Sequence, residues 1–146
     1  MRRKFALTAG LLSALFASPA MAEFWIPAGS ERGQRVFVQL DGMTANKASP
    51  FTAVLASFPR SWPANHHRYT VWIAEFDCRS RTRSMKSVVR YSSNRDPERS
   101  TVEAHPVGEN DAAVATQLNA VCGDTDAARR GRTFNHLGEI AESLGR

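Results

Sequence analysis

Only two of the 146 residues are cysteine, and they are not spaced as Cys-x-x-Cys. That removes the usual signature of dithiol redox chemistry. The nine glycines are scattered, so no glycine-rich loop is present to cradle a phosphate. No serine sits in a nucleophile-elbow context. His66 and His67 are adjacent, and on a strand neighbours point to opposite faces. His105 and His136 lie far away, so no metal-ligand spacing emerges. Glu75 and Asp77 share a strand face but stand among arginines, which favours ion pairing over general acid-base work. The sequence therefore implies no catalytic residue, no metal and no cofactor, and reads as a non-enzyme.

Long apolar runs are also missing after the first residues. Arg2, Arg3 and Lys4 open the chain, an uncharged stretch from Phe5 to Phe16 follows, and Ala20-Met21-Ala22 closes the segment. This is the layout of a secretory signal peptide over 1–22, with cleavage expected after Ala22. The apolar stretch falls short of the roughly 20 residues that a membrane span needs. No transmembrane segment is expected in the mature chain. Removal of 22 residues leaves 124 of 146, the size of one domain.

Charge points to no strong partner class. The chain has 19 Lys plus Arg against 14 Asp plus Glu, and three of the cations leave with the leader. The remaining sixteen against fourteen give a net charge of about +2, too little to indicate nucleic acid. Export matters more for the cysteines, since an oxidising compartment favours pairing. A Cys78–Cys122 disulfide would close about 45 residues and contribute about 4 kcal/mol by loop entropy. The competing reading is two free thiols acting in redox or acyl-transfer chemistry.

Period-two alternation marks the strands. Val36, Val38 and Leu40 alternate with Arg35, Phe37 and Gln39, the pattern of a half-buried strand. Phe51 to Phe58 reads as strand or short helix, with its bounding prolines favouring strand. Tyr69 to Cys78 is the clearest strand, with Thr70, Trp72, Ala74, Phe76 and Cys78 on an inward face. Arg81 to Ser92 follows, with Met85, Val89 and Tyr91 sharing the parity of Arg81 and Arg83. Ser93 to Pro97 reads as a turn and Ser100 to His105 as a short strand. Short links between successive strands imply antiparallel pairing.

The period then changes to helical. Asn110 or Asp111 caps a helix that runs to Cys122, with Val114, Leu118, Val121 and Cys122 on one face. Gly123 stands where a left-handed C-terminal cap is common. Cys78 and Cys122 thus both point inward, one from strand and one from helix. The fold class is α+β: an antiparallel β-sheet with a C-terminal helix packed on it, tied by one disulfide. Residues 124–146 read as an extension. Phe134, Leu137, Ile140, Ala141 and Leu144 make a weak helical stripe there, either a frayed tail or a docking helix.

In order, Trp25, Val36 to Asp41, Tyr69 to Cys78, Arg83 to Tyr91, Pro106-Val107 and Val121-Cys122 resemble the bacterial surface-adhesin protein E-like domain, over 23–123. The resemblance implies a bacterial envelope protein with a helix tied across an antiparallel sheet. The family's namesake is an adhesin that engages host matrix and plasma proteins. No lipidation cysteine follows Ala22, so a periplasmic or released protein is expected.

Three surface features are candidates for binding. Arg79, Arg81 and Arg83 share a parity and Lys86 lies close by, which makes a strip able to dock acidic groups. The same cations would also serve as a solvated strand that resists edge pairing. Trp62, in a loop with Arg60 and Pro63, is a candidate contact residue, whereas Trp72 should pack in the core. The function expected is binding of host extracellular matrix or another acidic macromolecule. The alternative is a structural or accessory periplasmic protein without a host ligand, self-associating as a homodimer through a sheet edge.

Overall fold

The computed structural model describes residues 24–39, 50–60, 68–92, 95–123, 131 and 133–144. Residues 1–22, expected to be a signal segment, and residues 61–67, with Trp62, His66 and His67, lie outside the described residues. Among these residues seven strands form one antiparallel sheet: β1 (Trp25–Glu31), β2 (Gln34–Gln39), β3 (Phe51–Pro59), β4 (Tyr69–Asp77), β5 (Thr82–Ser92), β6 (Arg95–Thr101) and β7 (Pro106–Gly108). Strands β1 to β6 lie in sequence order, and β7 pairs with the first residues of β5. Two helices follow among the described residues, α1 (Ala112–Cys122) and α2 (Leu137–Leu144). The α+β class, the antiparallel sheet, the packed helix and the single disulfide are as the residue pattern implies. Cys78 and Cys122 are bonded, with alpha carbons 5.6 Å apart.

The sheet is covered on both faces, not one. Ile26, Val36, Leu55, Trp72 and Phe76 pack with Val114, Leu118 and Val121 of α1. The alternate residues Trp25, Phe37, Ala56 and Phe58 pack with Phe134 and Ile140 on the other face. Phe37 is therefore buried as fully as its neighbours, where alternation alone suggested a half-exposed strand. The stripe near the C-terminus forms α2, with Ile140 fully buried. Glu139 accepts hydrogen bonds from the backbone N–H and side-chain amide of Asn135, which closes the first turn.

Helix α1 starts where Asp111 accepts bonds from the N–H groups of Ala113 and Val114, two donors otherwise unpaired at a helix start. It ends differently from expectation. Gly123 is extended, at φ −75° and ψ −168°, not left-handed. Its N–H donates to the Asn119 carbonyl, and a β-carbon there would lie 2.6 Å from that oxygen. Close approach, not handedness, explains the glycine.

The sheet is strongly curled. On a flat sheet, strands four apart are separated by roughly 19 Å. Yet Glu31 at the end of β1 meets Arg83 near the start of β5 at 2.7 Å. Helix α1 lies in this bend, against β1 and β5. A bulge between Pro27 and Ser30 lets β1 follow the curve. Gly29 sits in it at φ +90°, and a β-carbon would come 2.6 Å from the Thr116 Cγ2 atom of α1. We expect Gly29→Ala to destabilise the fold by about 2 kcal/mol, from the left-handed backbone and the contact together. Urea denaturation should show Thr116→Ser, which removes that methyl, recovering part of the loss but not all.

Two stretches of chain differ from their sequence reading. Strand β6 covers Arg95–Thr101, so Pro97 falls within a strand and not in a turn. As an outer strand, β6 pairs only with β5, and the N–H that proline lacks is not needed on its free side. Residues Val102 to His105, read as strand, leave the sheet before β7. In β5, an irregularity opposite Ile73 and Ala74 shifts the register. Met85 therefore shares a face with Val88, not with Val89 and Tyr91.

Candidate functional site

The four cations of the basic strip go to different places. Arg79 is exposed in the turn between β4 and β5, where Asp77 accepts a hydrogen bond from its backbone N–H at 2.9 Å. Hydrogen bonds from Ser80 and from that N–H hold the Asp77 carboxyl below its usual range. Arg81 has φ +55° and belongs to the same turn. Its guanidinium donates to Glu109 at 2.8 Å and to Asn119 at 2.6 Å, joining the turn to α1. Lys86 pairs with Glu75 at 3.3 Å on the surface. Arg83 is 5% exposed. The shared parity of Arg79, Arg81 and Arg83 has no common face to act on, because the strand starts only at Thr82.

Arg83 is instead the centre of a buried polar junction. Its Nη1 donates to Glu31 at 2.7 Å and to the Gln117 carbonyl oxygen at 2.5 Å. The Gln117 amide donates in turn to Glu31 at 2.9 Å. The guanidinium carbon lies 5.7 Å over the Trp72 ring, a cation–π distance. Burial pushes the Glu31 carboxyl up, but hydrogen bonds from Arg83 and Gln117 and the charge of Arg83 outweigh it. The net effect holds Glu31 below the ordinary carboxylate range. One group each from β1, β5 and α1 thus ties the curl shut. The helical stripe alone does not reveal Gln117, since a polar residue on an apolar face carries no sign of its partner.

Beyond α1 the concave face of the sheet stays open. Register places Ser57, Thr70 and Arg90 side by side across β3, β4 and β5. Ser57 is fully buried, and its hydroxyl has no hydrogen-bond partner. A cleft of about 550 Å³ opens along this row, with Arg68 and Tyr91 at its rim. A second cleft of about 550 Å³ lies beside it, against Trp72, Met85 and Val88. Gln34, Thr70 and Arg90 line both, so the two form one groove. Asp96 and Glu98 line the first cleft too, Glu98 opposite Arg90, but neither Arg68 nor Arg90 forms an ion pair among the described residues. No group of three or more His, Cys, Asp or Glu able to hold a metal ion occurs among the described residues. No helix among them is long and apolar enough to cross a membrane.

The chain matches no family model, no curated protein and no solved structure.

Proposed function

We propose that this chain is an exported, non-enzymatic binding domain of a bacterial envelope, similar in kind to surface-adhesin protein E. It engages an acidic macromolecule, such as a host matrix component, along the arginine-bearing groove on the concave face. The observation that carries this reading is the placement of Arg68 and Arg90 on one open cleft, neither of them in an ion pair among the described residues although Asp96 and Glu98 line the same cleft. A guanidinium presents a planar fork that takes two oxygens of a sulfate or carboxylate at once. The leader and the lack of a lipidation cysteine favour a periplasmic or released protein. The alternative, an accessory protein that dimerises through a sheet edge, draws less support. The edge strand β6 carries Pro97 and four charged residues, devices that discourage edge pairing.

Retention on immobilised heparin across a salt series tests the reading. Replacing Arg68 and Arg90 by alanine should lower affinity about tenfold per residue, the effect of losing a ~1.5 kcal/mol hydrogen bond to a charged group. Replacing Arg79 alone should change it less. Elution of the parent at low salt, or retention indifferent to Arg68 and Arg90, would reject the groove as the binding face.

A further inference from the structure

The groove changes character along its length. At the end away from Arg68 it is walled by apolar side chains. Val102 and Val107 are the large hydrophobic residues left exposed among the described ones, at 37% and 36%. Both line the cleft beside Trp72. They reach it because the chain leaves the sheet after β6 and returns as β7, so the segment between stands as a wall. Trp72 and Val88 contribute to the same lining. Two arginines join from different elements: Arg32 from the turn between β1 and β2, and Arg90 from β5. Neither is in an ion pair among the described residues, although Glu98 stands opposite Arg90 on β6. Of the carboxylates that share the cleft, Glu31 is engaged by Arg83 and Gln117, whereas Glu103 is exposed, 3.7 Å from the His105 ring. The Nε of Arg83, also in this lining, is buried without a hydrogen-bond partner.

An apolar wall, a few cationic donors and a volume within the usual ~300–1,000 Å³ suit this end of the groove to a small molecule. We propose that this cleft binds a single-chain amphiphile with an anionic carboxylate or phosphate head. The chain lies against Trp72, Val88, Val102 and Val107, and the head is held by Arg32 and Arg90. A neutral amphiphile would leave both guanidinium groups unused, and a cationic one would meet them as like charges. This goes beyond the acidic-macromolecule reading and stands without it, with Arg90 the one arginine that both readings use.

The test uses the purified chain and four probes below their micelle-forming concentrations: dodecanoate, dodecyl phosphate, dodecanol and dodecyltrimethylammonium. Binding is followed by amide and indole chemical shifts in ¹H–¹⁵N spectra. Saturable one-to-one binding of an anionic probe is expected, with shifts at the Trp72 indole, Val102 and Val107. Preference for dodecanoate or for dodecyl phosphate then distinguishes a fatty acid from a lysophospholipid-like source. Val102→Asp with Val107→Asp, both at exposed positions, should weaken binding at least tenfold. Arg32→Ala with Arg90→Ala should remove the preference for an anionic head while leaving chain contacts. Equal binding of dodecanol and the cationic probe, shifts confined to other surfaces, or no saturation would overturn the proposal. Heparin retention is a separate readout, so failure of either reading is visible by itself.

Discussion

Glu31→Ala should cost about 3–5 kcal/mol of folding stability, read from urea or thermal unfolding, although the side chain is small and polar. The loss comes from what remains. Arg83 would keep a full charge at 5% exposure with no counter-charge, and removing one partner of a buried ion pair is more costly than removing both. Gln117 would also lose the acceptor for its amide. Arg83→Ala should cost a similar amount. Glu31→Leu combined with Arg83→Met should recover most of the loss, since well-packed apolar pairs often replace buried ion pairs without penalty. A double variant as unstable as the single ones would mean that the polar geometry itself, not charge pairing, holds the curl.

The same junction sets an acid limit. The folded carboxyl of Glu31 lies below its ordinary value. Its contribution is complete above the ordinary carboxylate range and is lost as pH falls through the folded value. Glu31→Gln should therefore be less stable than the parent near neutral pH, and its stability should fall less steeply on acidification.

Replacing both cysteines by alanine is the second large effect. The bond joins residues 44 apart, and loop entropy alone assigns it about 4 kcal/mol. A domain of this size has a total stability of roughly 5–15 kcal/mol, so the reduced protein should be close to unfolding at physiological temperature. The bond also fixes the last residue of α1 beside the end of β4, at the closed side of the curl. Guanidinium titration of the parent with and without reductant should reproduce the loss in the alanine variant. An unchanged midpoint would show that the helix is seated by packing alone.

Much of the framework was legible because it rests on periodicity. The alternation in Tyr69 to Asp77 and the helical spacing of Val114, Leu118 and Val121 each name one buried face, and the structure uses both. Strand β1 was not legible. Pro27 and Gly29 fall within its seven residues, and both are strand breakers unless a bulge takes them up. Such a bulge depends on α1 arriving from elsewhere in the chain. The basic strip was misplaced for a related reason: parity applies only inside a strand, and Arg79 and Arg81 belong to a turn. The groove was beyond reach from spacing alone. Ser57, Thr70 and Arg90 become neighbours only through register, and Arg32 approaches them only because the sheet bends. Trp62 lies outside the described residues, so its role rests on the loop composition that singled it out.

The first strand is also joined to the last part of the described chain. Trp25 and Phe134 exchange both backbone hydrogen bonds, at 2.8 and 2.9 Å. Strand β1 is thereby stitched to a segment synthesised more than a hundred residues later. The outer edge of β1 at Trp25 must wait for that late arrival before its donor and acceptor are matched. A nascent chain stopped short of Phe134 would leave that seam open on the β1 edge.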